Sequence, residues 1–138
     1  MSTKSKRQPS SVRESSRGTY LAADRAIAIK SGPALMAWRK ERGISRKLFA
    51  EMADCSERTL ATCEKSRKLP QTMARPITET VRLLRALREL AGDDTALKDW
   101  LLAPNRAFNK KAPLTLIKGG ESDRLWEMVH QLRQGAFA

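Results

Sequence analysis

Two cysteines and a single histidine leave this 138-residue chain little of the chemistry that many enzymes use. No nucleophile–base pair, no set of metal ligands at the usual spacing and no phosphate-cradling glycine loop is visible. Cys55 and Cys63 are too few for a disulfide framework, and both fall in slots of the pattern that are usually apolar, so they are expected as small core residues. Aromatic residues are scarce, with three tryptophans, three phenylalanines and one tyrosine. They sit in helical patterns, which argues against the stacking platforms of single-strand RNA binders. No apolar run is long enough to span a bilayer or to form the core of a signal peptide, so a cytoplasmic protein with reduced thiols is expected. Convincing strand-type alternation is missing, and there is no internal repeat. The length suits one or two small domains.

Acidic charge is also short. Lys and Arg number 27 against 15 for Asp and Glu, a formal net charge of +12. Such an excess favours nucleic acid or another polyanion as partner. It is concentrated at the start, where residues 1–18 carry Lys4, Lys6, Arg7, Arg13 and Arg17 against Glu14 alone. This Ser-rich stretch has too little apolar surface to offset its ordering entropy, and a disordered basic arm is expected there. It is either a solvated tail or an arm that adds phosphate contacts.

The remainder reads as all-α. Residues 20–30 are alanine-rich and predict a helix, although Ala26–Ile29 also fits a strand. Ser31-Gly32-Pro33 is expected to end it. Helices are predicted over 34–42 with Leu35 and Trp38 inward, over 46–53 capped by Ser45, and over 57–65 capped by Ser56. Leu69–Ile77, with Pro70 and Pro76, predicts a linker. Thr78 is then expected to cap a helix to Ala91 with an apolar stripe of Leu83, Leu84, Leu87, Leu90 and Ala91, and Asp94 to cap another to Ala103. Three shorter runs follow, broken by Pro104-Asn105, Pro113 and the Gly119-Gly120 turn. The expected organisation is a basic arm at 1–18, a DNA-binding unit at 19–77 and a small helical domain at 78–138.

Two short helices joined by a tight turn at 54–56 have the spacing of a helix-turn-helix. Small Ala50 permits close approach, Phe49 and Leu60 fill the space between the helices, and Asp54 tolerates a left-handed backbone. Arg39, Gly43-Ile44-Ser45, Phe49-Ala50, Ser56, Thr59-Leu60, Glu64 and Pro70 together resemble the Xre/Cro repressors. The resemblance implies that Glu64 pairs with Arg39 to hold helices together. Ser66 stands where that family usually has glycine, so the second helix is expected to end differently or under strain. On this reading Glu57, Arg58, Thr59 and Thr62 face the major groove, with Arg58 suited to guanine and Glu57 to cytosine. Arg46 and Ser56 sit at helix N-termini where phosphate is held. Lys65, Arg67 and Lys68 would grip the flanking backbone.

The last forty residues resemble the toxin-binding domain of Xre/MbcA/ParS antitoxins, of the RES-Xre type. The match rests on Trp100-Leu101 before Pro104-Asn105, Phe108, Pro113-Leu114, the glycine pair and the closing Gly135-Ala136-Phe137-Ala138. Ala112 replaces a frequent capping Thr. The resemblance implies a type II antitoxin that binds a RES-domain, NAD-consuming toxin and represses its own operon as a homodimer, with no cofactor, no metal and no catalysis of its own. A stand-alone Xre-family repressor without a toxin is the alternative, and an RNA-binding or structural protein a more distant one. Trp100 and Phe108 are expected in the core. Toxin contact is expected at Pro104, Asn105, Phe108, Trp126, Met128, Gly135, Phe137 and Ala138. Trp126 lies one position off the Leu125–Val129–Leu132 stripe, and Phe137 is expected as an apolar plug for the partner's pocket. His130 is expected at a surface or interface.

Overall fold

Three serine caps set the N-terminal half. The computed structural model describes residues 29–135; the expectations for the basic arm, for most of the 20–30 segment and for Phe137 and Ala138 lie outside them. Ser31 Oγ accepts from Ala34 N–H and starts α1 (Gly32–Glu41). The Ser31-Gly32-Pro33 run therefore opens a helix rather than merely ending one. Proline at the second helical position forfeits no hydrogen bond, because the first four amides have no intrahelical acceptor. Ser45 caps α2 (Arg46–Ala53) and Ser56 caps α3 (Glu57–Glu64) by the same geometry, with their hydroxyls 3.0 Å from Leu48 N and Thr59 N. Asp54 turns the chain between them in the left-handed region, with φ 58° and ψ 48°.

The expected linker at Leu69–Ile77 is mostly helix. α4 (Gln71–Ala91) runs straight through Pro76 and through Thr78, which caps nothing. Proline inside a helix costs roughly 3 kcal/mol. Here the carbonyl it leaves unpaired belongs to exposed Thr72, where water can satisfy it. Ile77, Val81, Leu84 and Leu87 immediately beyond are buried in the core, and that burial outweighs the loss. One turn further along the helix, Thr80 Oγ1 donates back to the Pro76 carbonyl at 2.8 Å. The apolar stripe accordingly begins earlier than expected, at Ile77, and stops earlier. Leu90 is 40% exposed, because the core ends before the chain turns at Gly92.

Asp93, not Asp94, caps α5 (Asp94–Leu102), accepting from Ala96 N–H at 2.7 Å. A 3₁₀ turn (Arg106–Phe108), α6 (Pro113–Lys118) and α7 (Ser122–Arg133) follow. As the sequence predicts, Ala112 gives α6 no side-chain cap. Among the described residues seven α-helices and no strand are present; an isolated bridge joins Asn105 and Lys111. α2 packs on α3, α4 and α6, and α4 also packs on α5 and α7. One apolar core runs from Ile29 to Val129, with Phe49, Leu60, Ile77, Leu101, Leu116 and Leu125 sealed inside.

Two contacts lock the first helices. Gly32 is buried, and its N–H donates to the Ser66 carbonyl at 2.8 Å. A Cβ there would stand 2.1 Å from the Cys63 carbonyl oxygen and 2.6 Å from Glu64 backbone atoms. Neither neighbour is a flexible side chain, so α1 would have to leave α3. Gly32→Ala is expected to lose about 1–3 kcal/mol or more by overpacking, read as a lower urea midpoint with an unchanged slope. An unchanged midpoint would show that the two backbones separate at no cost.

Candidate DNA-facing and partner-facing surfaces

Glu64, at the end of α3, is the charge on which the N-terminal surface is built. Its side chain is 2% exposed. Arg39 grips it with Nε at 2.7 Å and Nη2 at 3.1 Å, while Arg39 Nη1 donates to the Ile44 carbonyl at 3.0 Å. That is the structural pair the sequence implies. The sequence reading missed the second cation. Arg46 places Nε at 3.0 Å and Nη2 at 2.9 Å from the same carboxylate. Burial alone would raise the Glu64 carboxyl; the hydrogen bonds from Arg39 and Arg46 and their charges outweigh it and hold the group below the ordinary range. The sole sequence signal for this was an arginine at the first position of a helix whose neighbour ends in a buried acid.

Around that anchor, α3 leaves an open row. Ser56, Glu57, Arg58, Thr59 and Thr62 are exposed, and so are Lys65, Arg67 and Lys68 after it. Ser56 Oγ is already engaged, capping Thr59 N–H and donating to Thr59 Oγ1 at 2.9 Å. Thr62 Oγ1 donates back to the Arg58 carbonyl. Arg46 is half-exposed and drawn toward Glu64, so of the nine expected DNA contacts it is the one most committed to the protein. The strain expected at Ser66 is absent. Lys65 closes α3 in the right-handed region, Ser66 is not among the residues of positive φ, and its N–H donates to the Cys63 carbonyl at 3.0 Å.

Cys63 is buried and Cys55 half-buried at the edge of the core. Burial pushes both thiols upward, which leaves little thiolate at neutral pH. Among the described residues no three His, Cys, Asp or Glu side chains come together as a metal site, and no helix is long and apolar enough to cross a membrane.

The C-terminal surface is organised by Phe108. Its ring is 4% exposed, meets Trp100 edge-on at 6.3 Å and lies under the Arg124 guanidinium at 5.7 Å. Phe108 is thus the prop of the turn and not a presented side chain; Trp100 is half-buried against the core. Asn105 caps the 3₁₀ turn by accepting from Ala107 N–H at 2.9 Å. Asn109 and Lys110 hold positive φ, so the turn projects exposed Pro104, Arg106, Lys110 and Lys111. This basic cluster escaped the sequence reading. On α7, Trp126 and Met128 are half-buried against the core, and Trp126 stacks on exposed His130 at 6.0 Å. Gly135 follows α7 with φ 70°.

The two surfaces belong to one packed body. Lys98 on α5 donates to the Gly43 carbonyl at 3.1 Å, and Lys118 on α6 pairs with Glu51 on α2 at 3.2 Å. Trp38 bridges α1 to the core, edge-on to Phe49 at 6.5 Å and covered by Arg42 at 4.4 Å.

Residues 86–132 match the model of the Xre/MbcA/ParS antitoxin C-terminal toxin-binding domain. Over 96 residues the chain is 25% identical to the mycobacterial cidal antitoxin MbcA of Mycobacterium bovis, an alignment covering 69% of this chain and 84% of that protein. The MbcA proteins of Mycobacterium tuberculosis match over the same span with the same identity. No solved structure matches.

Proposed function

We propose, from the match of residues 86–132 to the Xre/MbcA/ParS toxin-binding domain, that this chain neutralises one cognate toxin by direct binding and represses its own operon through α2 and α3. The observation that carries the reading is the fusion itself. A solvent-facing, predominantly basic recognition row is tied through Lys98 and Lys118 to the domain that matches toxin binders. By the resemblance, the toxin is a RES-domain enzyme that consumes NAD, and this chain's part is binding. The toxin-facing surface is built on Pro104 and Asn105 at the turn, on Trp126 and Met128, and on the residues from Gly135 onward, with Phe137 entering the partner's pocket. Phe108 acts by holding that turn in shape.

On DNA, Arg58 reads a base edge, and Lys65, Arg67 and Lys68 hold phosphates on the flank. Arg46, tied to Glu64, offers its exposed edge to a phosphate. Glu57 restricts the bases it faces to those presenting an amino group. Paired half-sites call for two copies.

The test has two arms. The product of the neighbouring reading frame, co-expressed with this chain, should co-purify with it and cease to deplete cellular NAD. Binding to the promoter of its own gene should depend steeply on salt. Arg58→Ala is expected to lose about 1–3 kcal/mol of specific binding. Lys68→Ala should weaken specific and non-specific DNA alike and flatten the salt slope by about one unit. An equal loss on both kinds of DNA for Arg58→Ala removes that residue from base reading. A promoter that gives no sequence-specific shift ends the repressor half of the proposal.

A further inference from the structure

A cavity of about 360 Å³ opens where the end of α1 meets α4 and the start of α5, a size that holds a small organic molecule. Its floor is apolar. Ile44, Leu84 and Leu97 line it, each no more than 3% exposed. Trp38 forms one wall. Neither the recognition row of α3 nor the Phe108 turn contributes to it.

Two donors at this cavity are unmet. Trp38 Nε1 is shut off from solvent and, among the described residues, has no hydrogen-bond partner. A buried N–H is normally paired, because its lost hydration is otherwise uncompensated. The second is the Arg85 guanidinium, half-buried and, among the described residues, with neither an ion pair nor a side-chain hydrogen bond. The other lining charges do have partners. Arg88 Nε lies 3.6 Å from Asp94, and Glu89 is held by Arg133 from outside the cavity. Arg42 Nη1 lies 3.9 Å from Glu41 and donates to the Trp38 carbonyl. The cavity thus has three arginines and three carboxylates, of which Glu89 already serves Arg133, and one positive charge is left over. That charge calls for a single negative one, since a dianion would also meet the lining carboxylates. A planar carboxylate matches the guanidinium fork, and its second oxygen can accept from Trp38 Nε1. Arg42 stands over the Trp38 ring at 4.4 Å and its side chain is 32% exposed, so it is free enough to swing aside and admit that oxygen. The apolar floor calls for a ligand body that gains by leaving water.

We propose that this cavity binds a small organic monocarboxylate with an apolar body, its carboxylate held by Arg85 and Trp38 Nε1 and its body set against Ile44, Leu84 and Leu97. The walls come from α1 on one side and from α4 and α5 on the other, so an occupant braces the joint between the DNA-facing and partner-facing parts of the molecule. The proposal is independent of the toxin and of the operator.

The three tryptophans of the full chain give three indole N–H signals in a proton–nitrogen NMR spectrum, and Trp38→Phe assigns the one at issue. Sodium phenylacetate and sodium hexanoate are the probes, titrated to millimolar concentration. At least one should move the Trp38 signal saturably and leave those of Trp100 and Trp126 in place. Phenylacetamide, which lacks the charge, and acetate, which lacks the body, should bind roughly tenfold or more weakly. Sodium sulfate, a dianion, should leave the signal where it is. Arg85→Met keeps the apolar stem, so the variant should be folded by circular dichroism and unresponsive to either probe. A Trp38 signal that neither probe moves, one that phenylacetamide or sulfate moves as readily as phenylacetate does, or a folded Arg85→Met chain that still responds each overturns the proposal. All but the last are read on the wild-type chain and hold whether or not the variant folds.

Discussion

Replacing Glu64 by glutamine is expected to cost this protein about 3–5 kcal/mol of folding stability, the usual loss when one member of a buried ion pair is removed. The carboxylate receives two donors from Arg39 and a further contact set from Arg46, at 2.7–3.1 Å, and its side chain is 2% exposed. Glutamine keeps the shape and one acceptor but leaves the buried Arg39 charge uncompensated. With a typical total of 5–15 kcal/mol, that loss is a large share. Urea unfolding measures it. The pH dependence has a defined sign. The folded-state pKa of Glu64 lies below its ordinary value of 4.5, so its contribution is present above that pH. It is lost as the pH falls below 4.5 and through the depressed folded value. The wild type should therefore lose stability over that acid window more steeply than Glu64→Gln. Equal midpoints for the two proteins at pH 7 would mean that apolar contacts alone hold α3 against α1. The double replacement Arg39→Met with Glu64→Leu should recover part of the loss, because two apolar groups remove the unpaired charge.

Phe137→Ala is expected to abolish protection against the toxin while leaving the fold and promoter binding as they were. The aromatic stands between Ala136 and Ala138, two residues beyond Gly135, and the core of the described residues runs from Ile29 to Val129. Burial of a phenylalanine is worth roughly 1.5–3 kcal/mol, or roughly 10- to 150-fold in affinity. If the ring also occupies the toxin's substrate site, the loss of neutralisation exceeds the loss of affinity. Growth of cells expressing toxin with either form of the chain reads the first, and a pull-down reads the second. A Phe137→Ala chain that protects as well as the original confines inhibition to the surface of Trp126, Met128 and the Pro104–Asn105 turn.

Much of the architecture was legible in advance because it is local. Ser45 and Ser56 cap helices through a hydroxyl that reaches an amide three residues on, and Asp54 takes the left-handed turn. Both depend on neighbours within one turn of the chain. The all-helical class followed from apolar spacing. The Arg39–Glu64 pair, and the match of residues 86–132 to a family of toxin-binding domains, were legible through resemblance, which supplies long-range information that periodicity lacks. Pro76 and Thr78 misled for the complementary reason. Their local preference for a break is real, but it is smaller than the burial of Ile77, Val81 and Leu84 against other helices.

By itself, then, the sequence determined the all-helical class, the starts of α2 and α3 at their serine caps, and the excess of basic charge. Tertiary structure alone decided that a second cation joins the Arg39–Glu64 pair. Arg46 and Glu64 are 18 residues apart, and a side chain at a helix N-terminus suits a phosphate until folding brings a buried carboxylate within 3.0 Å of it. Phe108 reads equally as contact or core until Trp100 and Arg124 enclose it. Gly32 looks like a helix breaker until the backbone of α3 arrives where a side chain would have been. Caps and periods are set by covalent neighbours a few residues away. Burial, ion pairing and close backbone approach are set by residues that only the packed core brings together.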